Sequence, residues 1–473
     1  MMKIRWFIFC LALVLASPIV AAGENVFECT TDEQLAVQLT VYSSNLGLVK
    51  DIRKVELPVG QAELRFMDIA SHIIPVTVHA RSLNHPEDFA ILEQTYHYDL
   101  MSADKLLDKY VGKKIKIIIW NEFQDRKEVV EATLLSNEQG QIYEIKDEIY
   151  LGHPGYKVLP GIPEDFTAKP TLMWLYDNRT TEAHKLEVSY LTSNMNWKAD
   201  YVVILQENDR SLDISGWVTL ANESGATYKN ARLKLVAGEV HRVTERFGER
   251  SYMMKAMPEA QAPSFEERAF FEYHLYDLKR KTTIKDKETK QISLLEALGV
   301  GTEKELLVYG TRSYFTRPYT EEIPKQPVNV YIKFKNSEDE DLGMPLPAGI
   351  MHLYKKDDEG SLQFIGEDRI EHTPKDEEIK LKVGEAFDVV AERIQTDYRK
   401  ITTRVHESEW EITLRNRKKT DITVGIVELL LGNWQIISSS HPYEKVDAFT
   451  IRFDVNVPKG EEIKVNYRVR VGL

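Results

Sequence analysis

Two cysteines in 473 residues leave this chain almost nothing with which to staple itself. Cys10 falls in the N-terminal apolar stretch, so Cys29 is the one thiol left to the body of the chain, and no internal disulfide can form there. Cys29 reads as an unpaired thiol in a loose N-terminal segment, with a catalytic role or pairing between two chains as the alternative. Long apolar runs are missing as well. Beyond the N-terminus the longest, Ile117-Ile-Ile-Trp120 and Val427 to Leu431, are strand-sized, so no transmembrane segment is expected. Positive charge is in short supply: 61 basic residues face 74 acidic ones, a net −13. That balance excludes nucleic acid and anionic membrane as main partners, because both need a basic footprint. Also absent are His-Glu-x-x-His, Gly-x-Ser-x-Gly and a glycine loop able to cradle phosphate. The residues therefore nominate no catalytic set, no metal site and no cofactor.

What is present begins with an address. Lys3 and Arg5 precede an apolar stretch from Trp6 to Ala16, too short for a bilayer, and Val20-Ala-Ala22 offers small residues for cleavage before Gly23. Residues 1–22 read as a secretory signal peptide, and Cys10 lacks the small residues that mark a lipoprotein site. The product is expected to be exported, periplasmic or extracellular. It would be more acidic still, since the leader takes away Lys3 and Arg5 and no acid.

With 43% hydrophobic residues the chain can build proper cores. The clearest pattern runs through residues 186–238. Leu186, Val188 and Tyr190, then Tyr201, Val203 and Leu205, then Leu212, Ile214, Val218 and Leu220, then Leu233 and Leu235 recur at every second position. Period two means strands with one apolar face. The turns between them, Ser193 to Asn196, Asn208-Asp209 and Asn222 to Gly225, hold residues that tolerate positive φ. We read this stretch as a meander at the heart of a β-sandwich.

Around it the chain divides as follows. Residues 34–98 alternate as an N-terminal β domain. Residues 99–168 open with one short helix, Ser102 to Gly112, with Ser102 as cap, Asp104 in the first turn, a stripe of Leu106, Leu107, Tyr110 and Val111, and Gly112 as stop. Five short strands follow in under 50 residues, which reads as a small barrel. Residues 170–245 hold the first sandwich core. Residues 246–267, rich in Met, Ala and Pro, read as a loop. Residues 268–473 resume regular strands and form a second sandwich region, with two sandwiches as the alternative. The fold class expected is all-β and multidomain: β-sandwiches, a barrel-like β domain and one short helix.

Several spaced motifs resemble a known family. Tyr190 with Asn196-Trp-Lys-Ala-Asp-Tyr201, Gly216-Trp217, Asn222 to Gly225 and Leu233-Lys-Leu235 form the first. Glu272-Tyr-His-Leu-Tyr-Asp-Leu278 with Thr289 to Leu294 is the next, followed by Leu346 to Gly349, Ile365 to Asp368, and Pro458-Lys-Gly460 with Tyr467-Arg-Val469. Over residues 170–473 they resemble the secreted bacterial proteins grouped under domain of unknown function 4139, relatives of the mucoidy-inhibitor type. The resemblance implies exported, β-rich proteins of uncertain activity, with no catalytic residue to carry over. Before residue 170 the chain departs from those relatives, which have a long coiled coil there.

Site candidates are few. His274 stands beside Tyr273 and Tyr276 in the second motif, and Lys279-Arg280-Lys281 follows as a basic patch that could meet an anionic envelope polymer. Interleaved Thr282, Thr283, Asp286 and Glu288 give an ordinary solvated hairpin as the alternative. Ser102-Ala-Asp-Lys105 spells a Ser-x-x-Lys nucleophile without its companion boxes, so a helix cap is the better reading. Ser337 to Asp341 and Asp357 to Gly360 are acidic turns without calcium-loop spacing. Trp120, Trp174, Trp197, Trp217, Trp410 and Trp434 bring carbohydrate stacking to mind, but a strand tryptophan usually fills a core. The expectation is a non-catalytic, envelope-associated binding or structural module, with an envelope protein or polysaccharide as partner. The rival is a periplasmic hydrolase on glycan or peptide, with a cleft converging on His274.

Overall fold

A computed structural model describes residues 26–97, 103–121, 126–138, 140–161, 170–238, 240, 265–270, 273–319, 323 and 325–472. The leader at 1–22, Ser102 and the methionines of the 246–267 segment lie outside these residues. Among the described residues 64% are in strands and 5% are helical, which establishes an all-β, multidomain fold. By its contacts it divides into two units: one takes the residues up to Ala36 and Lys50–Tyr190, the other Val37–Val49 and everything from Leu191 on.

In the first unit a four-stranded sheet runs in the order Val26–Cys29, Gly60–Phe66, Thr171–Asn178, Phe89–His97, parallel in its first pair and antiparallel after it. Alternate residues Leu172, Trp174 and Tyr176 are fully buried, and Trp174 meets Phe66 with ring centroids 5.3 Å apart. Each such side chain contributes about 1.5–3 kcal/mol by leaving water. Cys29 belongs to this core rather than to a loose segment: it is 0% exposed, and burial pushes its thiol up to about 11 although Arg53 opposes the shift. A thiol so enclosed and so weakly acidic offers nothing to a second chain.

The same unit holds an open five-stranded sheet of order Glu148–Leu151, Ile142–Ile145, Arg126–Ser136, Lys114–Asn121, Tyr156–Val158, antiparallel throughout. All five strands fall where the alternation places them, but they do not close into a barrel. The two outer strands are four and three residues long, and each pairs on one side only. What seals the apolar face is the Ala103–Lys109 helix, whose Leu107, with Tyr110 just beyond, packs on Ile115, Ile117, Leu134 and Tyr143. Gly112 ends that turn at φ 80°, where a side chain would be strained. A helix lid leaves the opposite face of the sheet in water, which a barrel would not.

In the second unit the expected meander splits. Met195–Leu205 and Ser211–Asn222 pair antiparallel, with Asp209 at φ 56° in their turn. Tyr228–Ala237 leaves them for another sheet, running parallel to residues 38–42 and antiparallel to Tyr273–Leu278. The two layers meet where the Trp197 indole donates to the Val236 carbonyl at 3.2 Å and stands edge-on to Tyr276 at 6.1 Å. The other neighbours of the central pair come from far along the chain. Gly349–Lys356 adds in parallel beside residues 199–205, and the 22-residue strand Glu288–Tyr309 lies beside Ser211–Asn222. Gly299, at φ 70°, and Leu298 form a bulge opposite Asp213, whose carboxylate accepts from the Gly299 amide at 2.9 Å. Past this bulge the long strand changes partners, to Asn329–Lys335 and Ile422–Leu429. It thereby enters a last sandwich, whose other layer runs Val389–Lys400, Val405–Asn416, Glu462–Gly472, Asn433–Ser439. Trp410, Phe453, Tyr467 and Phe315 fill the space between. The loop expected over 246–267 is shorter at its end, because the strand Phe265–Phe270 begins inside it and pairs with Tyr273–Leu278.

Candidate binding surface

The residues singled out in the sequence sit on Tyr273–Leu278 and the turn after it, and the structure separates them. Tyr276 is 1% exposed, lies against Trp197, and donates its hydroxyl to the Pro345 carbonyl at 2.9 Å. It is a core residue. Tyr273 and His274 are half-buried, and His274 lies between Ala237 and Ala269 in the sheet. Lys279, Arg280 and Lys281 are exposed, and with Arg232, Asp277 and Leu278 they line a depression of about 370 Å³. Asp277 is already held there by Arg232 at 2.6 Å. His274 is not a wall of that depression, so the ring residues and the basic run do not form one cleft.

The interior holds an arrangement that linear reading misses, because its parts lie 102 residues apart. Ser82 Oγ is 2.9 Å from His184 Nδ1, and His184 Nε2 is 3.0 Å from Asn178 Oδ1. Nucleophile, base and orienting amide are thus in line, as acyl transfer requires. Access is what fails. Ser82 is 2% exposed and His184 0%, with Phe89 packed 5.3 Å from the imidazole. Ser82 Oγ is also occupied by Asn84 Oδ1 and the His85 amide, both at 3.2 Å. Burial, with His85 beside it, lowers the His184 pKa, so the ring is neutral and both nitrogens serve as fixed links among three strands. This chain is a structural tie.

Carboxylates elsewhere are committed in the same way. Asp397, Glu407 and Glu409 converge on Arg468, and Glu305 is shared by Lys380 and Arg452. In the acidic turns, Glu340 accepts from the Gly301 amide at 2.7 Å, and Asp357 caps its own turn at the Glu359 and Ser361 amides. Among the described residues no group of three or more His, Cys, Asp or Glu side chains is gathered to hold a metal.

The surface that stands out is the outer face of the five-stranded sheet. Strand register fixes which side chains share it. Trp120 lies opposite Lys127; Tyr156, Ile118 and Val129 form the next row; Val158, Lys116 and Glu131 the next; Lys114, Thr133, Glu144 and Ile149 the last. Trp120 is 55% exposed, Tyr156 78%, Ile149 58% and Leu151 84%, whereas Trp174, Trp197 and Trp410 are buried. Lys114, Lys116, Glu131 and Val158, with Ile115, Leu159 and Pro160, line a depression of about 270 Å³. The sequence signal was present but two-valued: Ile117-Ile-Ile-Trp120 is apolar on both faces, which fits either two covered faces or one left open. Exposed large aromatic and aliphatic side chains grouped on one sheet face are uncommon on a folded protein and point to contact with another molecule. No family model matches this sequence, and no curated protein matches it either.

Proposed function

We propose that this protein is an exported, non-catalytic module that holds an envelope component against the outer face of its five-stranded sheet. The observation that carries the reading is the exposure of Trp120 and Tyr156 in neighbouring rows of one sheet face, in a chain whose other strand tryptophans are mostly interior. Large amphipathic rings left in water at such density are the usual anchors of a binding surface. The leader-like residues 1–22 and the resemblance to secreted proteins under domain of unknown function 4139 support export. The test is co-sedimentation of purified mature chain with an isolated envelope fraction. Binding is expected, and Trp120→Ala with Tyr156→Ala should abolish it without lowering Tm; undiminished binding by that double variant would refute the reading. N-terminal sequencing of secreted material is expected to begin at Gly23.

A further inference from the structure

The outer sheet face is polar along its own length, and that polarity names a ligand class. One end carries Trp120 and Tyr156. From there Ile118, Lys116 and Lys114 follow on the same face of the same strand, with Lys127 across from Trp120; Glu131 across from Lys116 and Glu144 in the row of Lys114 leave three lysines to two carboxylates on this face. At about 3.4 Å per residue, Trp120 and Lys114 are roughly 20 Å apart, so a ligand engaging both ends must be extended. Lys114, Lys116 and Lys127 are all exposed. The setting is permissive too. Residues 103–161 carry nine Lys or Arg against ten Asp or Glu, so the local balance is near neutral although the chain as a whole stands at −13. A negatively charged ligand that would be repelled elsewhere can approach here.

We infer that this face binds a polysaccharide bearing carboxylate groups, a proposal that rests on the binding-module reading above and names its ligand. Sugar rings lie on the apolar faces of Trp120 and Tyr156, and carboxylates along the polymer pair with Lys127, Lys116 and Lys114. The 270 Å³ depression, lined by Lys114 and Lys116 together with Glu131, Val158, Leu159 and Pro160, takes a ring at the charged end, its carboxylate toward the two lysines and a hydroxyl toward Glu131. Flat aromatic anchors followed by spaced single charges suit a stiff polymer of rings with one anion per unit. A membrane surface would ask instead for a dense basic cluster around inserted apolar tips.

The experiment uses the full mature chain and three probes: polygalacturonate, neutral dextran of matched length, and phosphatidylglycerol vesicles. Binding is read by tryptophan fluorescence and affinity electrophoresis. Polygalacturonate is expected to bind, and to weaken as salt rises. Lys114→Gln with Lys116→Gln should cost at least about tenfold in affinity, and Trp120→Ala a similar factor, each with unchanged Tm. Equal binding of dextran and polygalacturonate overturns the inference, as does binding to vesicles alone. So does failure of all three probes while envelope co-sedimentation still depends on Trp120; each of these leaves the module reading standing. Envelope binding indifferent to Trp120→Ala and Tyr156→Ala sinks both.

Discussion

Among the described residues two arginines lie wholly inside, one in each unit, and both face a carboxylate, yet they are set differently. Arg53 is saturated. Its Nε and Nη2 reach Asp51 at 3.0 and 2.7 Å, and its Nη1 reaches the Cys29 and Met67 carbonyls at 3.0 and 2.8 Å. Gln34 donates to the other Asp51 oxygen at 2.9 Å, and the guanidinium lies 3.8 Å over the Phe66 ring. Arg393 is not saturated. Its Nη1 meets Glu428 at 2.5 Å and the Tyr467 hydroxyl at 3.3 Å, and its Nε meets Gln326 at 3.0 Å. Its Nη2 and the second oxygen of Glu428 have no hydrogen-bond partner. Burial raises the Glu428 pKa even against the attraction of Arg393. The first pair is a strut that ties the Cys29 and Met67 carbonyls at two strand ends to the strand carrying Arg53. The second is a plug between two sheets, and a buried pair of that kind is often replaceable by apolar side chains.

The comparison breaks or holds on substitution, and the largest effect is expected at Glu428. Glu428→Ala strands a buried guanidinium and should cost about 3–5 kcal/mol in a urea titration. Arg393→Met combined with Glu428→Leu should recover most of that loss; a double variant as weak as the single would erase the contrast. In the other unit recovery should fail. Arg53→Met with Asp51→Leu leaves the Cys29 and Met67 carbonyls and the Gln34 amide unmet, each an unsatisfied group worth about 1–3 kcal/mol, so the double variant should stay well below the parent.

Next comes a pH effect confined to the first unit. His184 is held neutral with a lowered pKa, whereas the unfolded chain titrates near 6.5, so the unfolded state binds the proton more readily. Stability contributed by His184 is therefore complete above 6.5 and drains as pH falls below it. Thermal unfolding followed from pH 8 to 5 should show that loss, and His184→Gln should flatten it; an unchanged slope would count against the tie. The smallest effect belongs to the open sheet face: Leu151→Thr, at a site 84% exposed, should move stability by no more than about 0.5 kcal/mol.

Local structure was legible in the residues because the pleat writes itself into the sequence. Leu172, Trp174 and Tyr176, or Val203 and Leu205, announce a buried side at every second position, and Asp209 and Gly112 take the positive φ their turns require. Partnership was not legible. Alternation says which face a strand buries but not which strand lies beside it, so Tyr228–Ala237 reads as the continuation of a meander when its neighbour is the strand at 38–42. The same gap made five short strands look like a barrel, since nothing in Glu148–Leu151 or Tyr156–Val158 states whether an edge is met. At the site, Tyr276 was drawn outward by its polar neighbours although Leu278 on the same side is buried with it. Ser82 and Asn178 gave no warning at all, because short polar residues look alike until the fold places His184 between them.

The parallel ladders have a consequence in time. Residues 38–42 meet their parallel partner at 232–236, and residues 199–205 meet theirs at 349–355, while each strand's other edge is closed early by the strand that follows it. A ribosome or a translocon delivers the early halves long before the late ones, and loop closure over such separations is slow. If the chain is exported as proposed, these two ladders stay open until about half and about three quarters of it have been delivered.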